Sequence, residues 1–306
     1  MSLRKSGAAY KFYSVLRTNI DEIRERTYKS RDAWWTVLLV DPIAVHLVRW
    51  VAPYRWITPN LLSALAFVFG LASAYCFAMQ DRWWLVAGAL LFHLSFVVDC
   101  MDGKIARLNG TGTMFGVWFD FIFDRLRVVL CTVALMGGQY ARTGNVAWVW
   151  LAAGVIGLDL FRYLNGSQMA KIKATMRLRL DEARGVTAVL EPVDDEGETE
   201  DPVGAGPARN PYDRVRNALL RRRIRIHLFS GIEFEMTVFI IGPLIGFVFW
   251  TSIVAGALLL LFEALLVFRL WQLIGRWQTD LAKAEQRRAA EESEPPVSAE
   301  QTPTPV

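Results

Sequence analysis

Cysteine is scarce in this sequence, which has Cys76, Cys100 and Cys131 among 306 residues. All three fall in apolar segments, where a cysteine usually behaves as a small buried hydrophobe. Their spacing provides neither a disulfide framework nor a zinc-binding pattern. The net charge is only +4, and the basic residues cluster beside apolar segments. This distribution indicates contact with anionic membrane lipids and predicts no nucleic-acid partner.

Charge is also absent from two long stretches, Leu61–Met79 and Met236–Phe262. About 20 apolar residues are enough for a helix to cross the hydrocarbon core of a bilayer. Hydrophobic residues make up 53% of the chain. The sequence therefore predicts an all-α integral membrane protein with several spans.

The apolar pattern predicts a six-transmembrane-helix bundle preceded by an N-terminal interfacial amphipathic helix, which bends near Pro42. The predicted spans are 60–79, 83–106, 114–137, 145–165, 234–251 and 252–275. The predicted domains are a cytoplasmic or interfacial N-terminal segment at 1–52, a membrane domain at 53–275 with a charged cytoplasmic insert at about 175–225, and a disordered C-terminal tail at 276–306.

Lysine and arginine are unevenly distributed among the connections between these spans. They are abundant in the N-terminal segment, the 166–233 connection and the C-terminal tail. The positive-inside rule therefore predicts a multi-pass protein of the cell membrane with both termini on the cytoplasmic side. Residues 191–201 carry seven acids in eleven positions and are predicted to be a disordered insert. The basic run 221–225 is interpreted as a headgroup contact and topology signal, with an anion pocket as the alternative.

Four aspartates share one frame in the stretch DCMDGKIARLNGTGTMFGVWFDFIFD. Asp99 and Asp102 lie three residues apart, and Asp120 and Asp124 lie four apart, so each pair shares one helix face. A hairpin at 109–112 would bring the two pairs together at the cytoplasmic side. Because carboxylates at membrane depth are costly, they usually mark a functional site.

This cluster predicts a divalent-metal site. Carboxylate oxygens without cysteine or histidine suit Mg²⁺ or Mn²⁺. Four aspartates can share two ions, an arrangement that stabilises a phosphoryl group during transfer. Arg107 offers a bidentate cation for phosphate, and Gly103 and Gly116 leave room for a nucleotide or a neighbouring backbone. The residues therefore indicate phosphoryl transfer.

The frame Asp99-x2-Asp102-Gly103-x2-Ala106-Arg107-x8-Gly116-x3-Asp120-x3-Asp124 resembles the signature of the CDP-alcohol phosphotransferases, also called CDP-alcohol phosphatidyltransferases. The resemblance covers about residues 50–275. It implies transfer from a CDP-linked donor, typically CDP-diacylglycerol, to an alcohol with release of CMP. It also implies a six-helix bundle, a homodimer, and a polar cavity open to the cytoplasm.

The resemblance further implies particular roles for individual residues. Two metal ions would be held by Asp99, Asp102, Asp120 and Asp124, and Asp124 would also act as general base on the acceptor hydroxyl. The positions expected to contact the CDP group are Pro59, Asn60, Gly103, Ala106, Arg107, Thr113 and Gly116.

Several of these residues also have simpler interpretations. The aspartates could pair with Arg107, Arg125 and Arg127 instead of binding metal. Thr113 could serve only as a helix N-cap, and Asn60 could serve only as a helix-start residue.

The acceptor is predicted to be a small alcohol or an alcohol phosphate. Candidate residues for binding it lie at the end of the fourth span and just after it: Arg162, Gln168, Lys171 and Lys173. Lys171 stands where some family members place a lysine, but Gln168-Met169 replaces the serine-tyrosine pair of the inositol-phosphate branch. The two lysines could instead extend to the membrane interface. A lipidic acceptor, a divalent-cation carrier and an inactive scaffold remain alternatives.

Overall fold

The computed structural model describes residues 20–54, 56–186, 211–225 and 229–293, and within these ranges the fold is helical. An isolated β-bridge joins Asp32 and Ile224. The helices are α1 (Ile20–Thr27), a π-helical turn (Thr36–Val40), α2 (Asp41–Val51), α3 (Pro59–Met79), α4 (Arg82–Asn109), α5 (Met114–Thr143), α6 (Ala147–Ala183), α7 (Pro211–Arg221), α8 (Gly231–Met236), a second π-helical turn (Thr237–Ile241), α9 (Gly242–Ile245) and α10 (Val248–Ser293).

Local capping explains where α3 and the two helices that carry the aspartates, α4 and α5, begin. The Thr58 side chain accepts a hydrogen bond from the Leu61 amide at the start of α3, where Pro59 occupies the first helical position. Asp81 caps α4 in the same way through the Trp83 amide, 3.1 Å away. Thr113 caps α5 through the Gly116 amide, at 3.0 Å. The N-capping role considered for Thr113 is therefore present in the structure.

Small residues allow α3, α4 and α5 to pack closely. Ser73 on α3 donates a hydrogen bond to the Gly88 carbonyl of α4, at 2.8 Å, and Ser95 on α4 donates one to Ala66, at 2.6 Å. A Cβ added to Gly88 would lie 2.6 Å from the Phe77 ring. These contacts follow the general pattern of membrane bundles, in which small and hydroxyl-bearing residues line helix interfaces.

Four of the described helices are long and apolar enough to cross a membrane: α3, α4, α6 and α10. Helix α5, the third predicted span, has 30 residues but carries Asp120, Asp124, Arg125 and Arg127. Helix α5 is long enough to cross a membrane, but these charged side chains keep it out of the group of four. The structure therefore supports a helical membrane protein, and the count of six spans stays a prediction.

The last two predicted spans are divided at a different place in the structure. The prediction placed the boundary between residues 251 and 252, whereas the helical path breaks after Ile245 and restarts at Val248. Gly246 has a φ of +80° and ends α9 in the left-handed conformation that glycine adopts readily. The segment before the break is therefore shorter than predicted, and the helix after it is longer.

The predicted disordered tail at 276–306 is corrected for its first part, because α10 continues to Ser293. Lysine, glutamate, glutamine, arginine and alanine dominate residues 281–291, and all of these are good helix formers. The Trp277 indole also donates a hydrogen bond to the Met176 carbonyl, at 2.8 Å. Residues 294–306 lie outside the described ranges, as does the predicted acidic insert at 191–201.

The chain divides into two compact units. One comprises residues 1–161 and 203–262, and the other comprises residues 162–202 and 263–306. The four aspartates, α1 to α5, α7 and the segment through Ile224 and Arg225 belong to the first unit. The predicted acceptor residues belong to the second. The domain boundaries of 1–52, 53–275 and 276–306 stay predictions.

The N-terminal helix predicted to lie in the interface appears as the π-helical turn and α2. Ala44, Val45 and Val48 are fully buried on one side of α2, whereas Ile43 and Trp50 are exposed on the other. An exposed apolar face beside a buried one is compatible with an interfacial helix. Its position at a membrane surface stays a prediction.

Candidate metal and nucleotide site

The hairpin between α4 and α5 brings the aspartates together. Gly110, with a φ of +63°, ends α4, and Thr113 starts α5 three residues later. One carboxylate oxygen from each of Asp99, Asp120 and Asp124 lies within 4.8 Å of the others. This distance fits oxygen ligands arranged around a divalent cation.

Asp102 has a different environment from the other three aspartates. It is outside the group of mutually close oxygens, and its Oδ2 accepts a short hydrogen bond from Ser63 Oγ on α3. Its carboxyl also interacts with that of Asp120. Asp102 therefore adjoins the group through Asp120 and is itself held by α3.

Two observations test whether the cluster fits a cation. Asp120 Oδ1 is buried and has no hydrogen-bond partner in the described structure, although buried polar atoms are normally satisfied. The donor atoms are all carboxylate oxygens, which suit Mg²⁺ and Mn²⁺. The residues present therefore fit a hard divalent ion.

Arg127 is the cation closest to this cluster among the three arginines considered from the sequence. Its Nη2 lies 2.8 Å from Asp124 Oδ1 and its Nη1 lies 3.7 Å from Asp99 Oδ1. The same Nη1 donates to Ser95 Oγ at 3.1 Å. Only 2% of the side chain is exposed, so Arg127 holds two carboxylates in fixed positions from inside the bundle.

Gly70 makes room for Arg127. A Cβ at residue 70 would lie 2.7 Å from Arg127 Cγ and 2.8 Å from its Cδ. One arginine contributes one positive charge to a group of four carboxylates. The ion pairing considered as an alternative to metal binding is therefore present, but Arg127 cannot balance the cluster by itself.

The other two arginines contact different partners. Arg107 Nε donates to the Thr27 carbonyl, at 2.9 Å. Arg125 Nη1 lies 2.6 Å from both carboxylate oxygens of Asp159, and its Nη2 lies 3.1 Å from Glu235. Arg125 thus links α5 to α6 and α8 through a buried ionic network beside Asp124.

The residues predicted to contact CDP lie around the same hairpin. A Cβ at Gly103 would lie 3.4 Å from Arg107 Nη1, so the guanidinium runs across this glycine. A Cβ at Gly116 would lie 2.8 Å from Asn60 Oδ1. Gly116 thereby lets Asn60 on α3 approach the start of α5.

The two remaining residues of the predicted CDP set have fewer distinguishing contacts. Pro59 occupies the first position of α3, immediately before Asn60. The Ala106 carbonyl accepts the Thr111 amide at 3.1 Å in the hairpin. Both therefore shape the backbone around the cluster.

The predicted acceptor residues lie in the second unit. Arg162 is buried and its Nη1 lies 3.2 Å from Glu263 Oε1, while Asn165 donates to Glu263 Oε2 at 2.6 Å. Gln168 and Lys171 are exposed on α6, and Lys173 is half-buried. Arg162 therefore has a structural partner that its sequence context did not indicate.

Comparison with known proteins shows which family the region around this site is similar to. Residues 56–190 match the family described as CDP-alcohol phosphatidyltransferase. This matched region contains every residue of the aspartate frame. The resemblance inferred from the sequence is confirmed.

Named relatives share parts of this region. The chain is 36% identical over 83 residues to archaetidylinositol phosphate synthase of Pyrococcus horikoshii, covering 26% of the chain and 43% of the relative. It is 31% identical over 116 residues to CDP-diacylglycerol--serine O-phosphatidyltransferase of Helicobacter pylori, covering 35% and 46%. It is 32% identical over 109 residues to choline/ethanolaminephosphotransferase 2 of Arabidopsis thaliana, covering 33% and 28%.

The chain thus spans less than half the length of each of these relatives. The family and these relatives are phosphotransferases, and their names specify different alcohols. The likeness therefore defines a reaction class more narrowly than it defines an acceptor.

Proposed function

We propose that this protein is a metal-dependent CDP-alcohol phosphatidyltransferase of phospholipid synthesis. It transfers a substituted phosphate group, the phosphatidyl group of CDP-diacylglycerol, to an alcohol and releases CMP. The observation that carries the proposal is the close approach of carboxylate oxygens from Asp99, Asp120 and Asp124, within 4.8 Å of one another. The orphaned Oδ1 of Asp120 supports it.

In the proposed site, Asp99, Asp102, Asp120 and Asp124 hold two Mg²⁺ or Mn²⁺ ions. When bound, these ions offset the charge of the diphosphate and of the departing CMP. Asp102 takes part through its contact with Asp120, and Ser63 fixes its orientation. Arg127 keeps Asp99 and Asp124 in place, as other partners of ligating carboxylates do in metal sites.

Asp124 is proposed as the general base. The acceptor hydroxyl oxygen attacks the β-phosphorus of the donor and loses its proton to the Asp124 carboxylate. The new P–O bond replaces the phosphoanhydride bond, whose electron pair leaves with CMP. Asp124 is 22% exposed at its side chain, more than the 13% of Asp99, so an acceptor can approach it more readily.

Donor binding is assigned to Pro59, Asn60, Gly103, Ala106, Arg107, Thr113 and Gly116. Arg107 supplies its terminal guanidinium nitrogens, since its Nε is used on Thr27. Gly103 leaves room for the Arg107 guanidinium, and Gly116 leaves room for Asn60. Thr113 acts at least as the cap of α5, which fixes the start of the helix that carries Asp120 and Asp124.

The acceptor is proposed to be a small alcohol or alcohol phosphate, with Gln168, Lys171 and Lys173 as its candidate contacts. Arg162 is a weaker candidate because it is buried against Glu263. A lipidic alcohol is the alternative within the same chemistry. The protein is further proposed to be a six-span homodimer of the cell membrane, with its termini and active site on the cytoplasmic side.

A divalent-cation carrier is the alternative from a different class. A carrier needs available ligands that continue across the bilayer. The buried carboxylates of Asp159 and Glu235, which interact electrostatically with Asp124, are paired with Arg125. This pairing favours the enzyme over the carrier.

The decisive experiment measures CMP release by the purified full-length protein from CDP-diacylglycerol, with Mg²⁺, Mn²⁺ or a chelator. Serine, glycerol 3-phosphate, inositol phosphate and diacylglycerol serve as the acceptor panel. We expect metal-dependent CMP release with one of them. The same protein in vesicles should transport no Mn²⁺; transport without CMP release from any acceptor would establish the carrier instead.

A further inference from the structure

Asp41 connects three parts of the first unit that are distant in sequence. Its Oδ1 lies 2.9 Å from Lys104 Nζ on α4, and its Oδ2 lies 3.2 Å from Arg223 Nη2. The side chains of Asp41 and Lys104 are 4% and 5% exposed. The two cations balance the charge of this buried carboxylate. Burying one of these charged groups without its partner would cost free energy.

Tyr28 completes this group. The Arg223 guanidinium lies over its ring at 4.1 Å from the centroid, and Lys104 Nζ lies 5.7 Å from the same centroid. The Tyr28 hydroxyl donates to the Asp41 carbonyl at 3.2 Å. Burial, and after it the Asp41 carboxylate, raise the pKa of Tyr28, so the ring stays neutral and attracts both cations. We call Tyr28, Asp41, Lys104 and Arg223 the Asp41 clamp.

Arg223 is held in an unusual backbone conformation. Its φ is +62°, which costs energy for a residue with a Cβ. Its carbonyl accepts the Asp32 amide at 2.9 Å, and Arg225 donates its amide to Asp32 at 3.0 Å. Its Nε also donates to the Lys29 carbonyl, at 3.0 Å. Several contacts therefore fix this one arginine against the N-terminal segment.

The clamp adjoins the residues assigned to donor binding. Lys104 lies directly after Gly103, and three residues later Arg107 donates its Nε to the Thr27 carbonyl next to Tyr28. Lys104 could be taken for a phosphate ligand from its place in the aspartate frame. Because Lys104 is buried against Asp41, it does not serve as a phosphate ligand. Its ion pair with Asp41 instead connects the end of α4 to the N-terminal segment.

We propose that Asp41 and Arg223 are positioning residues for donor binding. Through Lys104 and Tyr28 they hold the end of α4 against the N-terminal segment, so that the terminal nitrogens of Arg107 face the diphosphate of a CDP-linked donor. The basic run 221–225 thereby contains a residue, Arg223, that stabilises the nucleotide site. This inference rests on the proposed function.

The test compares two neighbouring arginines in the full-length purified protein with Mg²⁺. Arg223→Gln removes the clamp contact, and Arg222→Gln makes the same charge change at an exposed side chain. We expect Arg223→Gln to raise the dissociation constant for CDP and the KM for CDP-diacylglycerol by about tenfold, as for loss of a charged hydrogen bond. Its kcat and Mn²⁺ affinity should stay within about twofold of wild type, because the aspartates are untouched.

Arg222→Gln should match wild type in all four measurements. Equal weakening by both substitutions would mean that the run attracts anions generally, and wild-type CDP affinity in Arg223→Gln would remove Arg223 from donor positioning. Either result overturns the proposal. If Arg223→Gln does not fold, Arg223→Lys serves, since it keeps the charge but cannot bond Asp41 and Lys29 together; wild-type affinity there would again overturn it.

The wild-type measurements separate this proposal from the proposed function. Wild-type protein that binds CDP and releases CMP, combined with an unchanged Arg223→Gln variant, would overturn the clamp alone. Wild-type protein that neither binds CDP nor releases CMP would overturn the enzyme and the clamp together. Asp41→Asn provides a second variant, and it should raise the same two constants as Arg223→Gln without changing Mn²⁺ affinity.

Discussion

Arg127 Nη2 lies 2.8 Å from Asp124 Oδ1, three residues earlier on the same helix. The arginine also reaches Asp99 on the preceding helix, so one buried cation spans both halves of the aspartate frame. The proposed base and a proposed metal ligand therefore share one supporting side chain. This arrangement makes the position of Asp124 depend on packing inside the bundle, at Gly70 and Ser95.

Arg127→Lys tests this support. Lysine keeps the positive charge but lacks the planar fork that reaches two carboxylates. We expect kcat for CMP release to fall about 10–100-fold, the usual cost of losing an outer partner in a metal site. Arg142→Lys, near the other end of α5, is the matched control and should retain wild-type kcat. Equal activity of the two variants would show that Arg127 contributes charge alone.

Asp124→Asn tests the general base. The amide keeps the shape of the side chain but cannot accept the proton of the acceptor hydroxyl. We expect CMP release to fall by at least about 10²-fold, within the range for general-base catalysis, while the protein remains folded and still binds Mn²⁺. Asp21→Asn, at an exposed site on α1, is the control. Unchanged turnover in Asp124→Asn would refute the assignment of the base.

Arg107→Ala tests donor recognition. Loss of a charged contact to phosphate should weaken CDP binding by about 1.5–3 kcal/mol, or roughly 10–150-fold. The Mn²⁺ affinity should change little because Arg107 contacts Thr27 rather than the aspartates. Titration with CDP measures the effect, and Arg49→Ala, at an exposed site on α2, is the control. An Arg107→Ala variant with wild-type CDP affinity would place Arg107 outside the donor site.

Gly116→Ala tests the close approach of α3 and α5. The added methyl group would lie 2.8 Å from Asn60 Oδ1, so Asn60 or α5 must shift. We expect a destabilisation of about 1–3 kcal/mol, typical of overpacking, and a higher KM for the donor. Gly112→Ala is the matched control, since its methyl group would meet only Ala106 Cβ, at 3.9 Å. Thermal unfolding and donor KM measure both variants; identical behaviour would contradict the packing argument.

The aspartate frame and its helical setting were predictable because they depend on short-range geometry. Spacings of three and four residues place side chains on one helix face, and Gly110 with Thr113 ends one helix and starts the next. The break at Gly246 was not predicted from the apolar run 236–262, because hydropathy alone does not divide a continuous apolar segment. Similarly, the polar part of α10 looked like a tail, although its residues favour helix.

Ser63, Arg127 and the Asp41 clamp were not assigned functional roles from the sequence. A serine in an apolar helix and an arginine three residues after Asp124 give only weak signals, although charges inside a membrane helix usually have partners. The role of Asp41 could not be predicted from the sequence, because its partners Lys104 and Arg223 lie far along the chain. Arg107 was expected near phosphate, but its anchoring to Thr27 depends on where α1 packs.

The chemistry available to this protein is already specified by its amino acids and their spacing: four carboxylates at helical spacing, an arginine and glycines beside them, and apolar helices long enough for a bilayer. These features follow from residue type and local periodicity. The tertiary structure alone decided which cation supports the carboxylates and what holds the nucleotide side of α4. Those contacts include the pair Asp41 and Arg223, which lie 182 positions apart, and they depend on how complete helices fit together.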